Sequence, residues 1–423
     1  MSRRAFLAST AGTSAWTAAG AGLAAGGLGA LLSGCQPSAA APPGHPRLPR
    51  PNAPVAWPVS LGNPPIGSGL APERHATLRV FTWPGHVNPQ CLRAFGKRYH
   101  CTVELTSFAT FGRALAVLRE CRERFDVLLG APSYMIGRLV WPGLIQPLNH
   151  SYLPNVRRVW PYLANPYYDH GARYTVPYTV CTTGIGWRTD LVDLDPYALD
   201  SGWDFPWTAA GAVPKGKIAL LDDYRASIGL ALLKNGVTDL NTTDPVLVDE
   251  ATTSLLRLDA LARPAIGNNT TADLATGRSW IHLAWSGQVA AAARYLPKGV
   301  SAQVLGYWFP PDGTGPVGND TGVVLRGARH PVLAHLLLNY LLGFRVALEN
   351  MAGTGYVQPL DRVTPERLVD EGIVPATLTS ACVLPTYVDH GLKQLELPIA
   401  GDKLWVQCWD AVSRRSSYRT SAD

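Results

Sequence analysis

The stretch VFTWPGHVNPQCLRAF, residues 80–95, decides how the rest of the chain is read. An apolar run from Leu78 to Phe81 reads as a strand. It stops at Trp83, turns through Pro84-Gly85, and restarts as a helix, with Asn88 as N-cap and Pro89 in the first turn. The same order repeats outward. CTVELTS is followed by a helical pattern from about Thr110 to Arg124, then by DVLLG. GKIALL ends at Asp222-Asp223 and runs into YRASIGLALLKNG, with Gly236 as the stop, and SWIHLAW ends at Trp285 and enters QVAAAARYL. Strands alternating with helices predict α/β lobes with mainly parallel sheets. In open α/β sheets, ligands bind beyond the carboxyl ends of strands. Trp83, the Pro132-Ser133-Tyr134 turn, Asp222-Asp223 and Trp285 each follow an apolar run, so four strand tips carry indoles, hydroxyls and carboxylates toward one place.

The N-terminus has a separate logic. MSRRAFLAST opens a charged start, an uncharged Ala/Gly/Leu middle and a small-residue exit at LSGC, Leu32 to Cys35. This pattern predicts an export signal over residues 1–34 of the twin-arginine type, with Cys35 as the site of lipidation and the membrane anchor. A single membrane-spanning anchor is the alternative, weakened by the many small residues between 8 and 34. Residues 35–75 are Pro-rich and read as an extended tether. Of 37 basic and 31 acidic residues, two arginines fall in the first 34, so the mature chain keeps a scattered excess of four, too little to argue for nucleic acid. Cys91, Cys101, Cys121, Cys181, Cys382 and Cys408 form an even set that outside the cytoplasm suggests disulfides, or else small buried hydrophobes. None has zinc-ligand spacing, and no metal or cofactor is expected. The apolar run HPVLAHLLLNYLLGFRVALENM is interrupted by His335, Asn339, Arg345 and Glu349, which favours a buried amphipathic helix over a membrane span.

FTWPGHV, DVLLGAPSY, YTVPYTVCTTGIGW, GKIALLDDYRASIGLALLKNG, IHLAWSG, GNDTGVVL and GTGYVQPL together resemble, in order and spacing, the bacterial spermidine/putrescine-binding proteins of polyamine ABC importers. The resemblance implies the two-lobed type II periplasmic-binding-protein fold, with a hinge and a ligand cleft between the lobes. It places lobe 1 at residues 76–181 plus 310–365 and lobe 2 at 182–309 plus 366–423. It also implies a small cationic amine as ligand, an ABC transporter permease as partner, and a monomer working on the outer side of the cytoplasmic membrane. The ligand-binding positions it implies are Trp83, His86, Ser133, Tyr134, Asp223, Trp285, Asp320 and Tyr356. His86 stands where the family has a tyrosine, Ala226 where it has a glutamate and Gly318 where it has a tryptophan. Arg225 is expected to hold a carboxylate.

These residue types suit an alkyl ammonium: indole faces take methylenes and cations, and carboxylates fix charged ends. Two plainer roles compete. Asp223 can be a helix N-cap, and Trp285 can be an ordinary core residue. An enzyme is disfavoured, because there is no GxSxG elbow, HExxH or phosphate-cradling glycine loop, and the adjacent Asp222-Asp223 pair cannot flank a scissile bond. A non-amine ligand on the same fold, and a sensor rather than an importer subunit, remain the other readings.

Overall fold

A computed structural model describes residues 47–121 and 124–420, without the side chains of Cys121 and residues 416–420. The predicted export signal and Cys35 lie outside these residues. Ten strands form one mixed sheet among the described residues. They are β1 (Thr77–Thr82), β2 (Thr102–Ser107), β3 (Val127–Pro132), β4 (Val176–Arg188), β5 (Ile218–Leu220), β6 (Ala265–Ile266), β7 (Ile281–Trp285), β8 (Leu305–Trp308), β9 (Pro316–Val324) and β10 (Leu392–Lys393). The order is β2-β1-β3-β9-β4-β7-β5-β6, with β10 beside β9 and β8 beside β4. β1 runs parallel to β2 and β3, and β5 runs parallel to β6 and β7. β9 and β4 run antiparallel to their main neighbours, so the parallel character holds only toward the two ends.

β4 joins the halves. It pairs with β9 as far as Thr182–Val317, and from Thr183–Trp285 onward it pairs with β7. Each half is covered on both faces, as parallel strands require. In β1 and β3, Leu78, Val80, Val127 and Leu129 point to one core with Leu337, while Phe81 and Leu128 point to another with Leu139 and Tyr168. The second half closes around Leu220, Ile228, Leu255, Ile281 and Trp405.

Three expectations change here. The segment read as a tether is bound to the body over residues 50–75. Trp57 is 3 % exposed and donates its indole N–H to the Tyr168 carbonyl at 2.7 Å. Leu70 and Asn63 bond Tyr152 and Ile145, and the Glu73 carboxylate accepts the Val332 and Leu333 amides. Proline-rich chain leaves few amides to satisfy, so an indole and a few side-chain bonds are enough to hold it. The apolar run after His330 is two helices, Pro331–Leu341 and Phe344–Thr354, broken at Gly343 and bent by 81°. His335 is fully buried within it, and no single described helix is long and apolar enough to cross a membrane. Cys91, Cys101, Cys181, Cys382 and Cys408 are unpaired; burial pushes the Cys91 and Cys382 thiols up to about 12, the behaviour of packing residues rather than reactive ones.

Candidate functional site: an aromatic and acidic cleft

The opening stretch builds the first wall. Trp83, Pro84, Gly85 and His86 form a turn closed by the His86 amide on the Trp83 carbonyl at 3.3 Å, with Pro at the second position and Gly85 at φ +68° in the third. That is type II turn chemistry, which a glycine at the third position permits without strain. The Trp83 indole N–H donates to the Gly130 carbonyl at 2.7 Å, and its ring lies against Phe108 at 4.6 Å. Gly130 sits at φ +82° where the β3–β9 register shifts, and a Cβ there would come within 2.5 Å of the Trp83 ring. A bulge in β3 therefore makes the shelf on which the tryptophan rests.

His86, only 4 % exposed, lies under that wall, so it is a packed cleft residue rather than a solvated loop residue. Its carbonyl accepts the Tyr178 hydroxyl at 2.7 Å, and Asn350 in turn donates to that hydroxyl. Its ring meets Tyr178 and Tyr356 edge-on, with centroids 5.3 and 5.0 Å away. Its Nε2 lies 3.3 Å from Oδ2 of Asp320.

The second half supplies the opposite side. Asp223 is the N-cap of the helix Tyr224–Lys234, and its Oδ1 accepts the Ala226 amide at 2.9 Å. Burial raises its carboxyl above the ordinary value, partly offset by the Ala226 amide and the nearby Arg225 charge. Trp285 ends β7 beside Thr183, and Tyr356 packs its ring onto Gly287, where a Cβ would approach to 2.5 Å. Ser133 and Tyr134 open the short helical turn after β3.

Trp83, His86, Ser133, Tyr134, Asp223, Trp285, Asp320 and Tyr356 all line one cleft of about 370 Å³. Ala226 and Gly318 line it too, so neither place carries a bulky side chain. Sequence reasoning missed Asn268 and Asn269, in a segment for which it had no functional account. They follow β6, and Asn268 accepts the Asp222 amide at 3.0 Å. Cys181 and Thr183 of β4, with Gln288 and Gln394, also line the cleft.

Arg225 requires a correction. It binds no carboxylate; its guanidinium donates to the carbonyls of Leu395 and Leu240 and to Asn241, and stacks between Tyr134 (5.4 Å) and Trp405 (4.8 Å). A buried cation finds partners in carbonyl dipoles and ring faces, and this one joins an aromatic of the first half to the second. A second bridge lies close by. Arg138 donates to Glu396 (3.2 Å) and Asp402 (3.0 Å), and the Tyr224 hydroxyl donates to the same Asp402 at 2.6 Å.

Chemically, the cleft offers ring faces, amides and three carboxylates, Asp222 and Asp223 on one half and Asp320 on the other. No group of three metal-ligating side chains occurs among the described residues. A cleft between two α/β halves joined by a continuous strand defines a two-lobed ligand-binding protein. The profile of the bacterial extracellular solute-binding proteins matches residues 90–372, and the chain belongs to that family. It is 28 % identical over 314 residues to the spermidine/putrescine-binding periplasmic protein 1 of Haemophilus influenzae, covering 73 % of this chain and 82 % of that one. It is 26 % identical to the putrescine/agmatine-binding protein of Pseudomonas aeruginosa, over 80 % of this chain and 92 % of that one. The spermidine/putrescine substrate-binding protein PotD of Streptococcus pneumoniae shares the fold, with a TM-score of 0.62 at 20 % identity, covering 81 % of this chain and 99 % of that one.

Proposed function

We propose that this chain is the substrate-binding component of an ABC importer and captures a small amine-bearing cation between its lobes. In this reading Trp83, Trp285, Tyr134 and Tyr356 hold the methylenes and Asp223 receives an ammonium. Lobe 1 comprises residues 76–181 plus 310–365, and lobe 2 comprises 182–309 plus 366–423. Export by the twin-arginine route and lipidation of Cys35 hold a monomer on the outer side of the cytoplasmic membrane, where it meets its permease. The observation that carries the ligand class is Asp223: a half-buried carboxylate, raised by desolvation, with no side-chain cation bonded to it and indoles lining the same cleft. Such a group favours an incoming cation, since a charge removed from water is costly until it is paired.

A thermal-shift panel of amines, amino acids and sugars on the mature chain tests this. An amine at one hundred times its dissociation constant should add about 2.7 kcal/mol of stability. Stabilisation by sugars or simple anions, with none by amines, refutes the reading.

A further inference from the structure

Of the three carboxylates in the lining, Asp222 is exposed and accepts the Trp409 indole N–H, and the other two, Asp223 and Asp320 on opposite halves, are not equivalent. Asp223 meets the cleft with only backbone hydrogen bonds to its carboxylate, chiefly the Ala226 amide. Asp320 meets it with an imidazole already in place: Nε2 of His86 is 3.3 Å from Oδ2, and 3.4 Å from Oγ1 of Thr179. That ring cannot easily leave. It is wedged between Tyr178 and Tyr356, the loop carbonyl behind it is held by the Tyr178 hydroxyl, and the next turn is held by the Asn88 amide on Asn350. The titratable groups around it are Asp320, Tyr178 and Tyr356, with Cys181 on the adjoining strand. None of these is a cation that would draw Asp320 away.

We propose that His86 makes the site one-headed. It selects a ligand with a single ammonium, seated at Asp223, and an uncharged hydrogen-bonding group such as a hydroxyl or amide at the His86–Asp320 end. The inference rests on the amine reading above and narrows it. As a neutral donor, His86 takes one lone pair of Asp320; as an imidazolium, it cancels the carboxylate charge. With the neutral ring a second ammonium finds the anchor partly occupied and its approach to Oδ2 blocked; with the imidazolium it finds the charge cancelled and a like charge beside it. A hydroxyl loses little, because it can donate to the remaining carboxylate oxygen and needs no counter-charge. Gly318, beside Asp320 in the lining, leaves this end free of the bulk that would otherwise fill it.

The test uses two ligands of equal length that differ by one charge, butane-1,4-diamine and 4-aminobutan-1-ol, titrated calorimetrically into the mature chain. The wild type should bind the aminoalcohol at least as tightly as the diamine. His86→Phe keeps the ring packing and removes both nitrogens, and it should move the ratio about tenfold or more toward the diamine. Asp320→Asn should change aminoalcohol binding less than about threefold in the wild type, yet erase the diamine gain in the His86→Phe background, a coupling that a merely structural role would not give. A wild-type preference for the diamine of tenfold or more overturns the proposal without any variant, as does an unchanged ratio in a folded His86→Phe protein. If neither compound binds, the amine reading itself has failed and this inference falls with it. If the diamine wins, only this inference falls.

Discussion

Asp223 has one role in the fold and one proposed in binding, and a single substitution can separate them. Its Oδ1 caps the helix Tyr224–Lys234 through the Ala226 amide, and its carboxylate faces the cleft. Asn caps a helix about as well as Asp, so Asp223→Asn should leave the cap in place, whereas Asp223→Ala should cost about 1 kcal/mol. The charge itself works against folding. A carboxyl raised above its ordinary 3.8 binds a proton more readily in the folded chain, so stability falls as pH climbs from 3.8 through the folded value. At neutral pH Asp223→Asn therefore relieves a cost, and the empty protein should melt at the wild-type temperature or a degree or two above it. Asp223→Ala should melt about 1–2 °C lower. Binding should move the opposite way. A hydrogen bond to a charged group contributes roughly 1.5–3 kcal/mol, so either variant should weaken an amine by roughly 10- to 150-fold. Differential scanning fluorimetry of the empty proteins, with calorimetric titration of an amine, reads both quantities. Wild-type affinity in Asp223→Asn would refute the reasoning, because the carboxylate would then serve its helix alone.

Gly130→Ala should be costly despite its size, because a Cβ at φ +82° would meet the Trp83 ring at 2.5 Å and His86 at 2.9 Å. A loss of about 2 kcal/mol in denaturant unfolding, with weakened ligand binding, is the expected result. His282 is fully buried and desolvation lowers it to about 4; its Nε2 has no partner. The unfolded chain therefore takes up a proton that the native one refuses, so stability drops by up to about 3 kcal/mol as pH falls from 6.5 to 4. Denaturant midpoints measured across that window should flatten in His282→Asn relative to the wild type. Arg138→Met should cost about 1–2 kcal/mol, since Glu396 and Asp402 lose their shared cation. Small-angle scattering of the empty variant should show a more extended particle.

The strand-tip rule made much of the cleft lining readable, because Trp83, Asp223 and Trp285 each follow a run long enough to recognise. It failed where strands are too short to leave a period. β6 and β10 have two residues each, so Asn268, Asn269 and Gln394 stood beyond invisible tips. Cys181 and Thr183 were hidden for the opposite reason, lying inside a thirteen-residue strand whose lining role comes from its change of neighbours. Asp223 was legible as two competing readings; the structure shows the helix cap and also puts the residue in the cleft lining. Arg225 was misjudged because charge suggests charge; its partners are carbonyls and rings more than ten residues away in sequence. Trp57 sat in a composition that suggested solvent, and a single indole overrode the local average.

The passage of β4 through both halves has a mechanical consequence. A stiff strand changes partners between Thr182 and Thr183, so a rotation of one half against the other would have its axis close to those residues. Ligand atoms touching Cys181 or Thr183 then act at almost no moment arm, and they add affinity without adding torque. Asp320, opposite Thr179 of β4, is little better placed, whereas atoms held by Asp223, beyond β7, would pull off the axis and do work on the whole half. Two ligands of equal affinity would close this molecule to different degrees, depending on how far from β4 their contacts fall.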